Sequence, residues 1–132
     1  MAKTNPETII TNRVRQKLES LGAIFIKISD SYTRGIPDAL MAVTRMVLIE
    51  FKVDRTIRDT KFRSWKSLGL SGAQDHFIRQ FLQRDPTSAC VVTDNVSGTK
   101  LRLWHPVDQH DERNPEYYVL AAGLDEVYEW LS

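Results

Sequence analysis

Two acids and one lysine, Asp38, Glu50 and Lys52, have the types and spacing that metal-dependent hydrolysis needs. Glu50 and Lys52 lie two positions apart in an apolar run, so in a β-strand both point to one face, roughly 7 Å apart. Neighbouring carboxylates suit a hard cation, Mg²⁺ or Mn²⁺, and a lysine beside them can orient the attacking water and offset charge on a phosphorane. The pattern predicts phosphodiester hydrolysis. The alternative is a half-exposed strand with a solvated Glu–Lys pair.

The length of the turn after Asp38 decides whether that acid joins Glu50. A three-residue loop over residues 43–45 places Met46 opposite Ala42 and Glu50 opposite Asp38. Directly opposed residues share a face, with Cβ atoms about 4.5–5.5 Å apart. A two-residue loop would turn Asp38 to the other face. Thr44-Arg45 is a poor two-residue turn, because neither residue favours positive φ, and we therefore predict the odd loop.

These residues must be positioned by a mixture of helices and strands. Hydrophobic periodicity predicts helices over 5–21, from Ser71 onward and over 124–131. It predicts strands over 23–28, 38–43, 46–53, 89–93, 100–104 and 117–121, and an irregular basic loop over 54–70. The expected fold class is an α/β or α+β sandwich, a central mixed sheet flanked by helices, formed by residues 1–132 as a single domain.

Composition limits the classes of protein without naming one. The chain has 132 residues, 42% of them hydrophobic, and a formal net charge of +1. Basic residues concentrate between Lys52 and Lys66, although on charge alone a solvated loop is the favoured explanation of that stretch. The single cysteine, Cys90, lies in an apolar run and is expected to be a buried thiol. Without a signal peptide or a membrane-length apolar run, we expect a cytoplasmic protein, bacterial or in a phage-infected cell.

Three short motifs, in order along the chain, resemble a known nuclease family. They are Gly35-Ile36-Pro37-Asp38, Glu50-Phe51-Lys52 and Ser71-Gly72-Ala73-Gln74. Asp38 with Glu50-Phe51-Lys52 resembles the signature of the PD-(D/E)XK nuclease superfamily. The Gly-Ile-Pro-Asp form and the third motif are most similar to the VRR-Nuc branch, which includes stand-alone phage and bacterial nucleases. The resemblance extends from about Glu7 to Thr93 and implies a restriction-endonuclease-like core.

The resemblance also implies a role for individual positions. Asp38 and Glu50, with the backbone carbonyl of Phe51, would bind Mg²⁺ or Mn²⁺. Lys52 would act on the attacking water. Gln74 would approach the metal-bound water or the scissile phosphate from its helix, which makes it the fourth expected catalytic residue beside Asp38, Glu50 and Lys52. Glu7 matches an acid on the first helix of many members and would join the metal shell directly or through water.

Two of these residues have a structural alternative. Gln74 and Ser71 have capping-box spacing, so the amide of Gln74 could simply satisfy a backbone N–H at the start of its helix. Glu7 has the same spacing from Thr4. Both roles can coexist, because both residues lie at a helix N-terminus. Glu19 is a rival acid on the first helix, but it lies at the helix end, where we expect it to be solvated.

The expected substrate is DNA, including branched DNA. A small chain without an added recognition domain favours reading of junctions, flaps or ends over reading of a base sequence. Similarity to junction-resolving members implies a homodimer, with an interface in the apolar segments 117–120 and 127–131; those segments could equally complete the monomer core. Trp65 could stack on a base or pack on the domain, and we expect it to pack. The residues expected to contact phosphates are Lys27, Arg34, Arg63 and Lys66.

Two other functions are alternatives to the nuclease. A non-catalytic nucleic-acid-binding module on the same fold would be expected to lack at least one of Asp38, Glu50 and Lys52, and all three are present. An enzyme acting on another phosphate ester is weakened by the absence of a nucleotide-binding motif. A glycine-rich phosphate loop is also missing, so the sequence does not support nucleotide triphosphate hydrolysis.

Overall fold

A computed structural model describes residues 6–28, 35, 37–56, 60–107 and 116–132 of the chain. Within these ranges the chain forms three helices and seven strands. The helices are α1 (Pro6–Ser20), α2 (Gly72–Arg84) and α3 (Leu124–Leu131). The strands are β1 (Ile24–Lys27), β2 (Ala39–Ala42), β3 (Met46–Val53), β4 (Phe62–Ser64), β5 (Ala89–Asp94), β6 (Arg102–Pro106) and β7 (Glu116–Ala122).

The strands form one mixed sheet in the order β1-β2-β3-β5-β6-β7-β4. β3 and β5 run parallel at its centre, and the other pairs are antiparallel. A parallel pair needs a crossover connection, and α2 lies within it. Every residue of β5 is buried, as expected for a central strand with helices on both faces. The predicted α+β fold class is therefore confirmed.

The two faces of the sheet carry two separate apolar clusters. Val47, Ile49 and Phe51 of β3 are fully buried on the face covered by α1 and α3, as the alternation predicts. On the opposite face, Ile78 of α2 packs with Leu48 and with residues of β5, β6 and β7. Glu50 and Lys52 share this second face by alternation, so α2 and not open solvent lies beside them.

One strand was missed by the sequence analysis. β4 falls inside the segment expected to be an irregular loop, and it pairs with β7 through Arg63 opposite Tyr117. A three-residue edge strand has too few positions to show an alternating pattern, and its pairing with a distant strand holds it in the sheet. The packing expectations for Cys90 and Trp65 agree with the structure: Cys90 is fully buried, which raises the pKa of its thiol, and Trp65 packs against the second cluster.

The C-terminal segments complete the monomer core. Tyr117, Val127 and Leu131 are buried within the chain itself, while Leu120 is 38% exposed. Of the two roles predicted for these segments, the structure therefore supports the internal one, because buried residues leave little apolar surface there for a partner.

None of the helices in the described ranges is both long enough and apolar enough to span a membrane.

Candidate metal centre

The hairpin between β2 and β3 brings Asp38 beside Glu50. Ala42 pairs with Met46 across a three-residue loop, and Ala39 pairs with Ile49, so the predicted register is confirmed. The backbone N–H of Asp38 donates to Glu50 Oε2 at 3.1 Å. The backbone N–H of Phe51 donates to Asp38 Oδ2 at 3.0 Å. Each carboxylate is thus fixed by the backbone of the other strand.

A third carboxylate reaches the same place from α1. One oxygen each of Glu7, Asp38 and Glu50 lies within 4.8 Å of the other two. Glu7 stands in the first turn of α1, where the helix dipole favours a negative charge. The alternative cap for Glu7 involves Thr4, which lies outside the described residues. The cluster offers three hard oxygen ligands, a donor set that suits Mg²⁺ or Mn²⁺.

Lys52 and Gln74 both contact the buried acid of this cluster. Lys52 Nζ lies 3.4 Å from Glu50 Oε1 and 3.9 Å from Glu7 Oε1. Gln74 Nε2 donates to Glu50 Oε1 at 2.8 Å. Gln74 Oε1 also accepts from the backbone N–H of Ser71 at 2.9 Å, which completes a capping box. The helix cap and the contact with the site coexist in one side chain, since its two amide atoms serve different partners.

Burial and hydrogen bonding act in opposite directions on the ionisation of Glu50. It is 1% exposed, and burial, with the Asp38 carboxylate next, raises its pKa to about 8 against the partial opposition of Lys52. Both of its oxygens accept hydrogen bonds, which would stabilise the ionised form when a cation is bound. Burial also raises the pKa of Glu7. A divalent cation between the carboxylates would offset this repulsion and favour the ionised forms, so the residues fit such an ion. The alternative of a solvated Glu–Lys pair does not agree with the structure, because Glu50 is buried.

A groove of about 280 Å³ opens beside the carboxylates. It extends from Glu7 and Asp38 along one face of α1 to β1, where it includes the predicted phosphate contact Lys27. Apart from Glu7, the sequence analysis did not select the polar residues of α1 that line this groove, although their helical spacing is visible in the sequence. Arg15 is one of these residues, and it pairs with Glu19 at the exposed end of the helix, away from the cluster. The other polar residues that line the groove are Thr8, Thr11 and Asn12.

Two of the other predicted phosphate contacts, Arg63 and Lys66, do not line this groove. Arg63 donates to Asp54 Oδ1 at 3.0 Å and to Ser67 Oγ at 2.8 Å, so its guanidinium already has partners within the chain. Lys66 Nζ lies 5.4 Å from the centre of the Trp65 ring. Arg34 lies outside the described residues. Of the four predicted contacts, the structure brings Lys27 to the carboxylate groove.

Gly35 of the first motif packs directly against the start of α2. Its φ is +78°, and a Cβ atom there would lie 2.2 Å from the carbonyl oxygen of Ala73 and 2.7 Å from the backbone N of Gln74. Backbone atoms cannot move aside as a flexible side chain can. The glycine therefore permits the close approach between the chain before Asp38 and the helix that carries Gln74.

Gly35→Ala is expected to destabilise the protein by at least about 2 kcal/mol, because it adds both a strained φ and a backbone clash. Gly123→Ala is the matched control, since Gly123 has a φ of +86° and no atom within 4 Å of its added Cβ. Urea unfolding of both variants measures the difference. Equal losses of stability in the two variants would show that the contact with Ala73 is not a tight one.

Comparisons with known proteins identify the fold but not a family. No protein-family model and no curated protein matches this chain. Among solved structures, it is similar to Hjc, a Holliday junction resolvase from the archaeal hyperthermophile Archaeoglobus fulgidus. The TM-score is 0.54 and the identity is 19%, over 81% of this chain and 82% of that chain. The mixed sheet with its three described helices thus has the fold of that resolvase.

Proposed function

We propose that this chain is a divalent-metal-dependent deoxyribonuclease, a structure-selective endonuclease of the VRR-Nuc branch of the PD-(D/E)XK superfamily. The observation that carries the proposal is the meeting of Glu7, Asp38, Glu50 and Lys52 at one end of the β2–β3 hairpin. That cluster occurs on a fold shared with a Holliday junction resolvase. Its role would be in DNA repair, recombination or phage DNA processing.

The ligands of the cation would be Glu7, Asp38, Glu50 and the carbonyl of Phe51. The N–H of Phe51 points toward Asp38, and the N–H and C=O of one strand residue point to the same side, so the carbonyl faces the same edge. A bound Mg²⁺ or Mn²⁺ polarises the phosphoryl oxygen and lowers the pKa of water. The protein contributes a rigid ligand set, since backbone N–H groups fix both Asp38 and Glu50.

Lys52 and Gln74 would act beside these ligands. The ammonium group of Lys52, held near Glu50 and Glu7, orients the attacking water and offsets the negative charge that develops on the phosphorane. Gln74 fixes Glu50 through its amide. From the start of α2 it would approach the metal-bound water or the scissile phosphate.

The groove along α1 supports DNA as the substrate. Lys27 supplies positive charge in the groove that Glu7 and Asp38 border, and the Thr8 hydroxyl on α1 can donate to a phosphate oxygen. Similarity to a resolvase favours branched DNA over linear duplex. Symmetric cleavage of a four-way junction requires two related sites, so we propose a homodimer as the acting form.

The test is cleavage of labelled four-way junction, flap, linear duplex and single strand with Mg²⁺, Mn²⁺ or EDTA. The wild type is expected to cut in either metal and to rank the branched substrates first. Asp38→Ala is expected to abolish cutting, and Asp125→Ala, an exposed acid on α3, is the control that should retain it. Binding of these DNAs by the wild type without any cutting would instead favour the non-catalytic binding module.

A further inference from the structure

A second pocket lies on the outer side of α2, away from the carboxylate groove. It measures about 390 Å³, within the range of ligand pockets, and it separates the segment around Trp65 from the helix. We call it the Trp65 pocket. Its lining residues are Trp65, Gly72, Asp75, His76, Arg79, Gln80 and Gln83.

The charges in the Trp65 pocket nearly cancel. Asp75 accepts a hydrogen bond from the Tyr117 hydroxyl at 2.6 Å and is paired with Arg79 Nε at 3.1 Å, so its carboxylate is already satisfied. Arg79 Nη2 is buried and has no hydrogen-bond partner among the described residues. A buried donor without a partner costs free energy.

The remaining lining groups are those that recognise a planar, neutral heterocycle. Trp65 is partly exposed and offers an aromatic surface for stacking. Gln80 and Gln83 are exposed amides that each donate and accept, as the edge of a base requires. A phosphate would need several free cations at this place, and Arg79 is already paired with Asp75. Lys66, next to the Trp65 ring, could hold the phosphate attached to a stacked nucleoside.

The position of the pocket relates it to the carboxylate cluster. Gln74, which contacts Glu50, lies about half a turn of helix away from His76 and Gln83 around the axis of α2. The two sites therefore flank one helix. A strand bound at the carboxylates can reach the pocket by passing the N-terminus of α2, where the helix dipole favours phosphates.

We propose that the Trp65 pocket binds an unpaired nucleobase of the DNA substrate, stacked on Trp65 and hydrogen-bonded by the glutamine amides. This inference rests on the proposed function, because it assumes a DNA substrate. It would make the nuclease favour flaps and single-stranded ends, since these are the structures that offer unpaired bases. A fully paired duplex would leave the pocket empty.

The test measures binding in EDTA, so that cleavage does not interfere. The probes are a fluorescein-labelled single-stranded 12-mer and the same strand with abasic sites at every position. The wild type is expected to bind the intact strand about tenfold more tightly, the size of one base–aromatic stacking contact. Trp65→Ala, and Gln80→Ala combined with Gln83→Ala, are expected to lose this preference. Trp130→Phe and Gln16→Ala, altered outside the pocket, should keep it.

The double glutamine variant protects the test against misfolding, because both side chains are exposed on α2. Wild-type cleavage with Mg²⁺, measured in parallel, separates the two proposals. Cleavage without any preference for the intact strand would overturn the base-binding pocket and leave the nuclease standing. A preference that survives in the pocket variants would also overturn it. A Trp65-dependent preference without cleavage would support the pocket and reject the nuclease.

Discussion

Lys52→Met is expected to lower the rate of metal-dependent DNA cleavage by about 10²–10⁴-fold. The ammonium group lies 3.4 Å from Glu50 Oε1 and 3.9 Å from Glu7 Oε1. In the proposed reaction it would act on the attacking water and on the developing charge. Methionine keeps the length of the side chain and removes its charge. Single-turnover cleavage of the preferred substrate at saturating Mn²⁺ measures the loss at the chemical step.

The same substitution is expected to leave the affinity for Mn²⁺ unchanged or higher, because the ammonium group and the metal compete for the same carboxylates. Calorimetric titration of the metal-free protein measures that affinity. Lys61→Met, an exposed lysine away from the cluster, is the control for loss of charge alone. A variant that cuts at the wild-type rate would exclude a catalytic role for Lys52. Loss of metal binding together with cleavage would make Lys52 a structural residue.

The affinity for Mg²⁺ is expected to rise roughly 50-fold between pH 6 and pH 8, because the ion binds ionised carboxylates and must displace a proton from Glu50. Burial and the neighbouring Asp38 carboxylate raise the pKa of Glu50 to about 8, so the metal-free protein holds that proton at neutral pH. Titrations at several pH values measure the affinity, and the dependence of the heat on buffer ionisation reports the released proton.

The raised pKa of Glu50 makes the metal-free protein less stable as the pH rises, whereas the metal affinity increases over the same range. The contribution of Glu50 to the free energy of unfolding is fully present below the ordinary glutamate pKa near 4.5. It is lost as the pH rises through about 8. In EDTA, we therefore expect the melting temperature to fall between pH 6 and pH 9, and Mg²⁺ to offset that fall. Burial raises the pKa of Asp54, but Thr56, Arg63 and Lys100 outweigh it and hold that pKa below the usual value. The contribution of Asp54 to stability therefore changes only in acid, outside the range of this measurement.

Glu50→Gln is the variant that tests this linkage. It removes the titrating group, and with it we expect the stabilisation by Mg²⁺ to disappear at every pH. Glu19→Gln, an exposed acid in an ion pair on α1, should behave like the wild type. A metal affinity that stays constant from pH 6 to pH 8 in the wild type would contradict the assignment of Glu50 as the protonated ligand.

The sequence by itself determined the relations that depend on a few neighbouring residues. Alternation along a strand placed Glu50 and Lys52 on one face, and the poor turn chemistry of Thr44-Arg45 favoured the odd loop that sets Asp38 opposite Glu50. The capping-box spacing of Ser71 and Gln74 likewise predicted the start of α2. These relations span one strand, one hairpin or one helical turn, so local geometry alone fixes them.

Only the tertiary structure decided the relations between distant segments. Glu7 meets Asp38 and Glu50 because α1 packs on β3, and no local pattern specifies that docking. β4 exists through its pairing with β7, and the Trp65 pocket exists because α2 lies beside a segment without regular pattern. The pKa of Glu50 depends on its burial, which is set by the elements packed around it. Such contacts depend on how whole elements fill the core, and short-range spacing carries no record of that packing.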